Sequence, residues 1–203
     1  MTLSKVEDAV EDFKKGNFVV VVDDEERENE GDIILAAEKA TPQKINFIIK
    51  NARGLICVPM LGKRLEELEL PLMVNKKADL NRCTFTVSVD CKNGSTGISA
   101  FDRANTIKAL SDKNSKPDDF TKPGHIFPLR CHENGLRARQ GHTEAAIELT
   151  KLASLYPAAV ICEIIGEDGM MARLPELMEF AKKHNLKIIN VKDLMDYSEI
   201  NPL

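Results

Sequence analysis

The sequence crowds seven carboxylates into the ten residues Asp23-Asp24-Glu25-Glu26-Arg27-Glu28-Asn29-Glu30-Gly31-Asp32. Like charges at this density repel, and each costs more once partly desolvated. A hard cation offsets that, because Mg2+ prefers oxygen ligands and keeps several waters. Glu28, Glu30 and Asp32 are spaced by two, so an extended backbone would turn them to one face. Gly31 permits positive φ or the close approach of a ligand. The competing reading is a solvated acidic hairpin, since loops are surface and polar as a rule.

Two histidines and one further carboxylate join this set. Arg139-Gln140-Gly141-His142-Thr143-Glu144 precedes an apolar helical pattern. A helix start offers free N–H groups and a positive dipole end, which suit phosphate. Arg139 adds a fork for phosphate oxygens, and His142 can ligate a metal or carry protons. An ordinary helix cap with a surface histidine fits the same residues. His125 lies in Pro123-Gly124-His125-Ile126-Phe127-Pro128, read as a rigid loop, where a structural role competes with a chemical one. Glu163 interrupts the apolar run Val160–Ile165. A carboxylate there is expensive unless it is paired or functional; the alternative is a buried ion pair with an arginine. Cys57 reads as a core thiol. His132 and His184 read as surface residues, His184 at a helix C-terminus where a cation suits the dipole.

The elements that must position these groups alternate along the chain. Val6–Lys15 reads as a helix stopped by Gly16, and Phe18–Val22 and Ile33–Ala37 as buried strands. Thr41-Pro42 starts a helix, with Thr as cap and Pro at the first position, and Gly54 ends it. Leu55–Met60 reads as a strand. Phe85–Val89 alternates as a half-buried strand before an Asn93-Gly94 turn. Ser99 and Asp102 resemble a capping box for a helix to Leu110, and Asp112–Lys122 reads as a surface loop. A helix follows over His142–Leu155, a buried strand over Ala159–Ile165, a helix over Leu174–Asn185 and a closing strand over Lys187–Val191. This order predicts an α/β (mixed α+β) fold: one domain over residues 1–203, with a mixed sheet flanked by helices.

Composition bounds the function. The chain has 203 residues, 43% hydrophobic and 30% charged, a globular balance. A chain of this size buries about 70% of its unfolded surface, enough for a core without staples. No apolar run approaches the roughly 18–20 residues of a membrane span. Net charge is −4, which argues against a nucleic-acid partner. The five cysteines include no C-x-x-C pair, and no signal peptide opens the sequence, so a reducing cytoplasm with free thiols is expected.

The motifs together resemble the 3,4-dihydroxy-2-butanone 4-phosphate synthase family of riboflavin biosynthesis. The resemblance spans nearly the whole chain. It is carried by Asp23-Asp24 through Asp32, Phe85–Asp90, Thr96-Gly97-Ile98-Ser99 with Asp102-Arg103-Ala104, Pro123–Arg130, Gly141–Ala145, Ile161-Cys162-Glu163 and Asp168–Arg173. It departs at Arg82-Cys83, where a small pair is usual, and at Met170, which replaces a common Thr. The chain also lacks the cysteine cluster of a fused GTP cyclohydrolase half, so the monofunctional form is expected.

The resemblance implies a formate-releasing lyase that converts D-ribulose 5-phosphate to L-3,4-dihydroxy-2-butanone 4-phosphate with Mg2+, or Mn2+ in its place. It implies a homodimer with sites near the subunit interface. By position, Glu28 and His142 would hold the metal, and Arg27 and Asp32 would contact the sugar. Arg139, Gln140, Gly141, His142 and Thr143 would hold the phosphate end. His125 and Glu163 would be essential to catalysis. Several protons must move at different atoms in such a reaction, which suits a set of carboxylates and histidines. The rivals are another Mg2+-dependent sugar-phosphate isomerase or aldolase, a divalent-ion binding module, and an ATP- and tRNA-binding protein of related fold. The last needs a basic face, and no Lys/Arg cluster adjoins these motifs.

Overall fold

All four residues of Val19–Val22 are buried, although successive strand side chains point to opposite faces. Val19 and Val21 join one apolar cluster and Val20 and Val22 another, so the strand lies between two layers of helices. The computed structural model describes residues 2–74 and 83–201. Its strands are β1 (Val19–Val22), β2 (Gly31–Ala36), β3 (Cys57–Met60), β4 (Val89–Cys91), β5 (Phe120–Arg130), β6 (Ala159–Glu163) and β7 (Lys187–Asn190). They form one sheet in the order β4-β5-β3-β6-β2-β1-β7. β1–β7 and β3–β5 pair parallel, and the other pairs are antiparallel, which is the expected mixed sheet.

The helices are α1 (Val6–Lys14), α2 (Pro42–Asn51), α3 (Gly62–Glu67), α4 (Ala100–Ser111), α5 (His142–Leu152), α6 (Leu174–His184) and α7 (Val191–Ile200). Ile48 of α2, Ile107 of α4 and Leu177 of α6 pack on one face of the sheet. Phe13 of α1, Leu149 of α5 and Leu194 of α7 pack on the other. The expected caps form: Thr41 Oγ1 accepts from the Lys44 N–H at 3.2 Å and Ser99 Oγ from the Asp102 N–H at 3.0 Å. No helix among the described residues is long and apolar enough to cross a membrane.

Several local expectations are corrected. Phe85–Val89 is not a continuous strand: Phe85 and Thr86 make single bridges to Leu129 and Leu72, and regular pairing starts at Val89. The expected rigid loop around His125 is the interior of β5, whose first residues come from the expected surface loop. After α2 the left-handed residue is Arg53, at φ 72°, rather than Gly54. α3 and α7 were not expected. α7 has a readable start, since Asn190 Oδ1 accepts from the Asp193 N–H at 2.6 Å. The departure at Arg82 lies outside the described residues; Cys83 and Met170 are exposed.

Candidate functional site

Asp23 organises the acidic loop. Its buried carboxylate accepts from the Glu30 N–H at 2.8 Å, the Glu28 N–H at 3.3 Å and Arg27 Nη1 at 2.5 Å. From the far side of the loop, Arg173 Nη1 donates to the carbonyls of Glu28, at 2.9 Å, and of Asn29. Asn29 turns the chain at φ 53°. Glu28, Glu30 and Asp32 therefore share no extended face. The chain turns first, Glu28 remains 43% exposed, and only Asp32 enters β2.

Asp32 is buried and pairs in register with Glu163 across β2 and β6. Burial first, and then the charges of Glu163, Glu28 and Glu30, push its carboxyl well above the usual range. Glu30 is raised for the same leading reason, burial. Glu163 is the last residue of β6 and half-buried rather than enclosed in an apolar strand. Its Oε2 accepts from the Leu55 N–H at 2.7 Å, so a backbone amide stands where an arginine was the alternative. Gly54 makes this approach possible: a Cβ there would lie 2.5 Å from both the Glu163 carbonyl and Oε2.

His142 is the first residue of α5, after Gly141 as N-cap, and it is buried rather than a surface cap. Its Nδ1 stands 4.0 Å from Glu28 Oε2 and 4.0 Å from Asp32 Oδ1, beyond hydrogen-bond reach of either. Its Nε2 is buried with no partner among the described residues. Burial lowers its pKa, which favours the neutral ring that metals require. Asp23, Glu28 and His142 offer ligand atoms within 4.8 Å of one another. Asp23 already accepts three hydrogen bonds of the roughly four a carboxylate can take. The half-exposed Glu28 carboxylate, which accepts one side-chain bond from Arg27 Nη1 at 2.8 Å, and the unpartnered imidazole are the freer donors, and this hard, open set fits Mg2+ with its waters.

The phosphate candidates flank that cluster. Arg139 Nη1 bonds Glu144 Oε2 at 2.7 Å, so one edge of its fork is already committed. Its Nε is buried without a partner among the described residues, a donor that an anionic oxygen would satisfy. Gly141 lets two guanidiniums crowd the helix start: a Cβ there would lie 2.4 Å from Arg139 Nη1 and 3.0 Å from Arg27 Nη2. Thr143 is buried beside Cys83, with Oγ1 4.0 Å from Sγ. Gln140 is exposed and directed to α7, where Nε2 meets Met195 Sδ at 3.6 Å.

His125 comes from the opposite half of the sheet. It lies on β5, which β3 separates from β6 and Glu163 in the sheet order. The His125 N–H donates to Asp90 Oδ1 at 2.9 Å, and Nδ1 lies 2.7 Å from Asp90 Oδ2.

Asp90, Asp23, Glu144 and Arg173 were not singled out in the sequence. Asp23 and Asp90 carried a signal, each being a carboxylate at the end of an apolar run. His132 is half-buried, and so is His184, whose ring meets Phe47 and Phe180 at 5.0 and 4.7 Å. Burial lowers the His184 pKa. Cys57 is buried as expected, and burial raises its pKa.

Residues 7–197 match the 3,4-dihydroxy-2-butanone 4-phosphate synthase family. The chain is 52% identical over 198 residues to the synthase of that name from Agrobacterium fabrum, covering 97% of this chain and 93% of the relative. It is 58% identical over 195 residues to the riboflavin biosynthesis protein RibBA of Endomicrobium trichonymphae, covering 96% of this chain and 48% of the relative. The chain thus spans about half the length of several curated relatives it matches. A solved 3,4-dihydroxy-2-butanone 4-phosphate synthase in complex with two magnesium ions superposes with TM-score 0.92 at 41% identity, covering 97% of both chains. The Candida albicans enzyme superposes with TM-score 0.90 at 46% identity, covering 97% of this chain and 98% of its own. With its carboxylate-and-imidazole cluster set on the same fold, the chain belongs to the 3,4-dihydroxy-2-butanone 4-phosphate synthase family.

Proposed function

We propose that the chain converts D-ribulose 5-phosphate to L-3,4-dihydroxy-2-butanone 4-phosphate and formate, with Mg2+, or Mn2+ in its place, held by Glu28 and His142. The observation that carries this reading is the buried His142 ring, with Nε2 unpartnered and Nδ1 facing Glu28 and Asp32. The cation, when bound, supplies Lewis-acid polarisation of the sugar's oxygens. Arg27 and Asp32 contact the sugar. Arg139, Gln140 and the Gly141–Thr143 amides hold the phosphate at the α5 N-terminus. Asp32, whose carboxyl burial pushes well above the usual range, stands beside His142 and Glu163, where proton transfer to the sugar is needed. Glu163 and His125 move protons at other atoms of the substrate.

The chain acts as a homodimer. In support, Leu55, Ile98 and Phe101 are exposed large apolar side chains on segments beside Glu163 and His125, and a second copy is the partner that would cover them. Its five free thiols suit the cytoplasm, and its partners are a sugar phosphate and its own copy, not nucleic acid or a membrane. The test is carbon NMR of products from labelled ribulose 5-phosphate with Mg2+, with and without chelator. Formate that appears only with the metal supports the reading. An isomerised or cleaved sugar without formate would favour an isomerase or aldolase.

A further inference from the structure

The Asp90–His125 contact is too constrained to be an incidental surface pair. Both carboxylate oxygens are used, Oδ1 by the His125 backbone N–H at 2.9 Å and Oδ2 by the ring Nδ1 at 2.7 Å. Two glycines permit it. At Gly124 a Cβ would lie 2.0 Å from the Val89 carbonyl carbon and 2.2 Å from the Asp90 nitrogen, so only glycine lets β5 approach β4 this closely. The β4–β5 register shifts between Val89 and Asp90 at that place. Gly97, at φ 87°, closes over the pair, where a Cβ would lie 2.1 Å from Asp90 Oδ2 and 2.6 Å from His125 Nδ1. The Nδ1 edge is thus enclosed, while the ring as a whole stays 43% exposed. Neither of these contacts is made to Nε2.

We propose that Asp90 is a positioning residue: its carboxylate holds the proton of His125 on Nδ1 and presents an unprotonated Nε2 to the substrate. A carboxylate has only lone pairs to offer, so a 2.7 Å contact requires the proton to sit on Nδ1. Nε2 then bears the lone pair and acts as base. A substrate O–H or C–H bond breaks, its electrons stay on the substrate, and the proton joins Nε2. The resulting imidazolium is stabilised by the Asp90 charge and can return the proton at a later step. This inference rests on the proposed catalytic role of His125 and adds the residue that fixes its tautomer.

The test combines ring 15N NMR with kinetics. The chain has four histidines, and the His125 resonances are those missing from His125→Ala. The wild type should show His125 protonated at Nδ1 and bare at Nε2, a measurement that needs no folded Asp90 variant. In Asp90→Asn the amide oxygen keeps the His125 backbone bond and the NH2 faces Nδ1, so the proton should move to Nε2. Asp90→Asn should lose roughly 100- to 10,000-fold in kcat, the range of a general base, with KM and Mg2+ affinity near wild type. Wild-type His125 protonated at Nε2 would overturn the proposal. So would full kcat in Asp90→Asn while His125→Ala is inactive. An active His125→Ala would instead remove the catalytic reading of His125, and the role of Asp90 with it.

Discussion

Asp32 and Glu163 are direct register partners across β2 and β6, which sets two carboxylates side by side on one face near the rim of the sheet. Their environments differ. Asp32 is buried, and desolvation with the Glu163 charge holds its pKa well above the usual range. Glu163 is half-buried and accepts a backbone N–H from Leu55.

The Asp32 shift has a sign that calorimetry can read. Its folded pKa lies above the unfolded value of about 3.9, so between the two the unfolded chain binds fewer protons and stability falls as pH rises. In chelator, the wild-type melting temperature should decline as pH rises above the ordinary carboxylate range. Asp32→Asn should decline less and melt higher on the high-pH side of that titration. Parallel curves for the two proteins would refute the burial argument. Saturating Mg2+ should recover wild-type stability by about 2.7 kcal/mol at a hundredfold excess over Kd.

Glu163→Gln separates chemistry from folding. The glutamine oxygen can still accept the Leu55 N–H, while charge and proton transfer are lost. Formate release should vanish, substrate binding should stay near wild type, and the melting temperature should be equal or higher. A strongly destabilised variant would make Glu163 a folding residue.

Arg173 grips the carbonyls of Glu28 and Asn29, so it positions the loop that carries a proposed ligand. Arg173→Ala should weaken Mg2+ binding by roughly 10- to 100-fold, the usual effect of losing a group that orients a ligand. Titration calorimetry with MgCl2 on the metal-free protein measures this. Unchanged affinity would show that the loop is held by Asp23 alone.

Asp102 staples the segment that leads to Gly97. It accepts from the Ser95 N–H at 2.9 Å, Ser95 Oγ at 2.7 Å and Ser99 Oγ at 2.8 Å. The Ser95 bonds first, then Ser99, draw its pKa down to about 2. The stabilisation is fully present above the unfolded value of about 3.9 and lost as pH falls through the folded one. Asp102→Asn should therefore melt lower than wild type at neutral pH. The gap should close on acidification, which an acid series of thermal melts would follow.

Local pattern determined much of this protein. Apolar runs marked β1, β2, β3, β6 and β7 because strands covered on both faces over most of their length need no polar face. Thr41-Pro42 and Ser99 marked helix starts because free N–H groups call for an oxygen acceptor. The acidic loop, His142 and Glu163 stood out because clustered or buried charge is costly. The short-range signal was misleading where sheet pairing overrode it: the alternation of Phe85–Val89 met only single bridges, and Pro123–Pro128 was drawn into β5.

Only the tertiary structure decided which of these groups meet. Asp32 and Glu163 adjoin because β2 pairs with β6, and the contact of Asp90 with His125 spans 35 residues. Strand order and register carry such contacts, and these arise from packing the whole apolar core, not from spacing along the chain. The state of each group follows from the same packing. The His142 pKa is lowered and the Asp32 pKa raised because burial removes the water that would stabilise their charges, and burial belongs to the assembled fold.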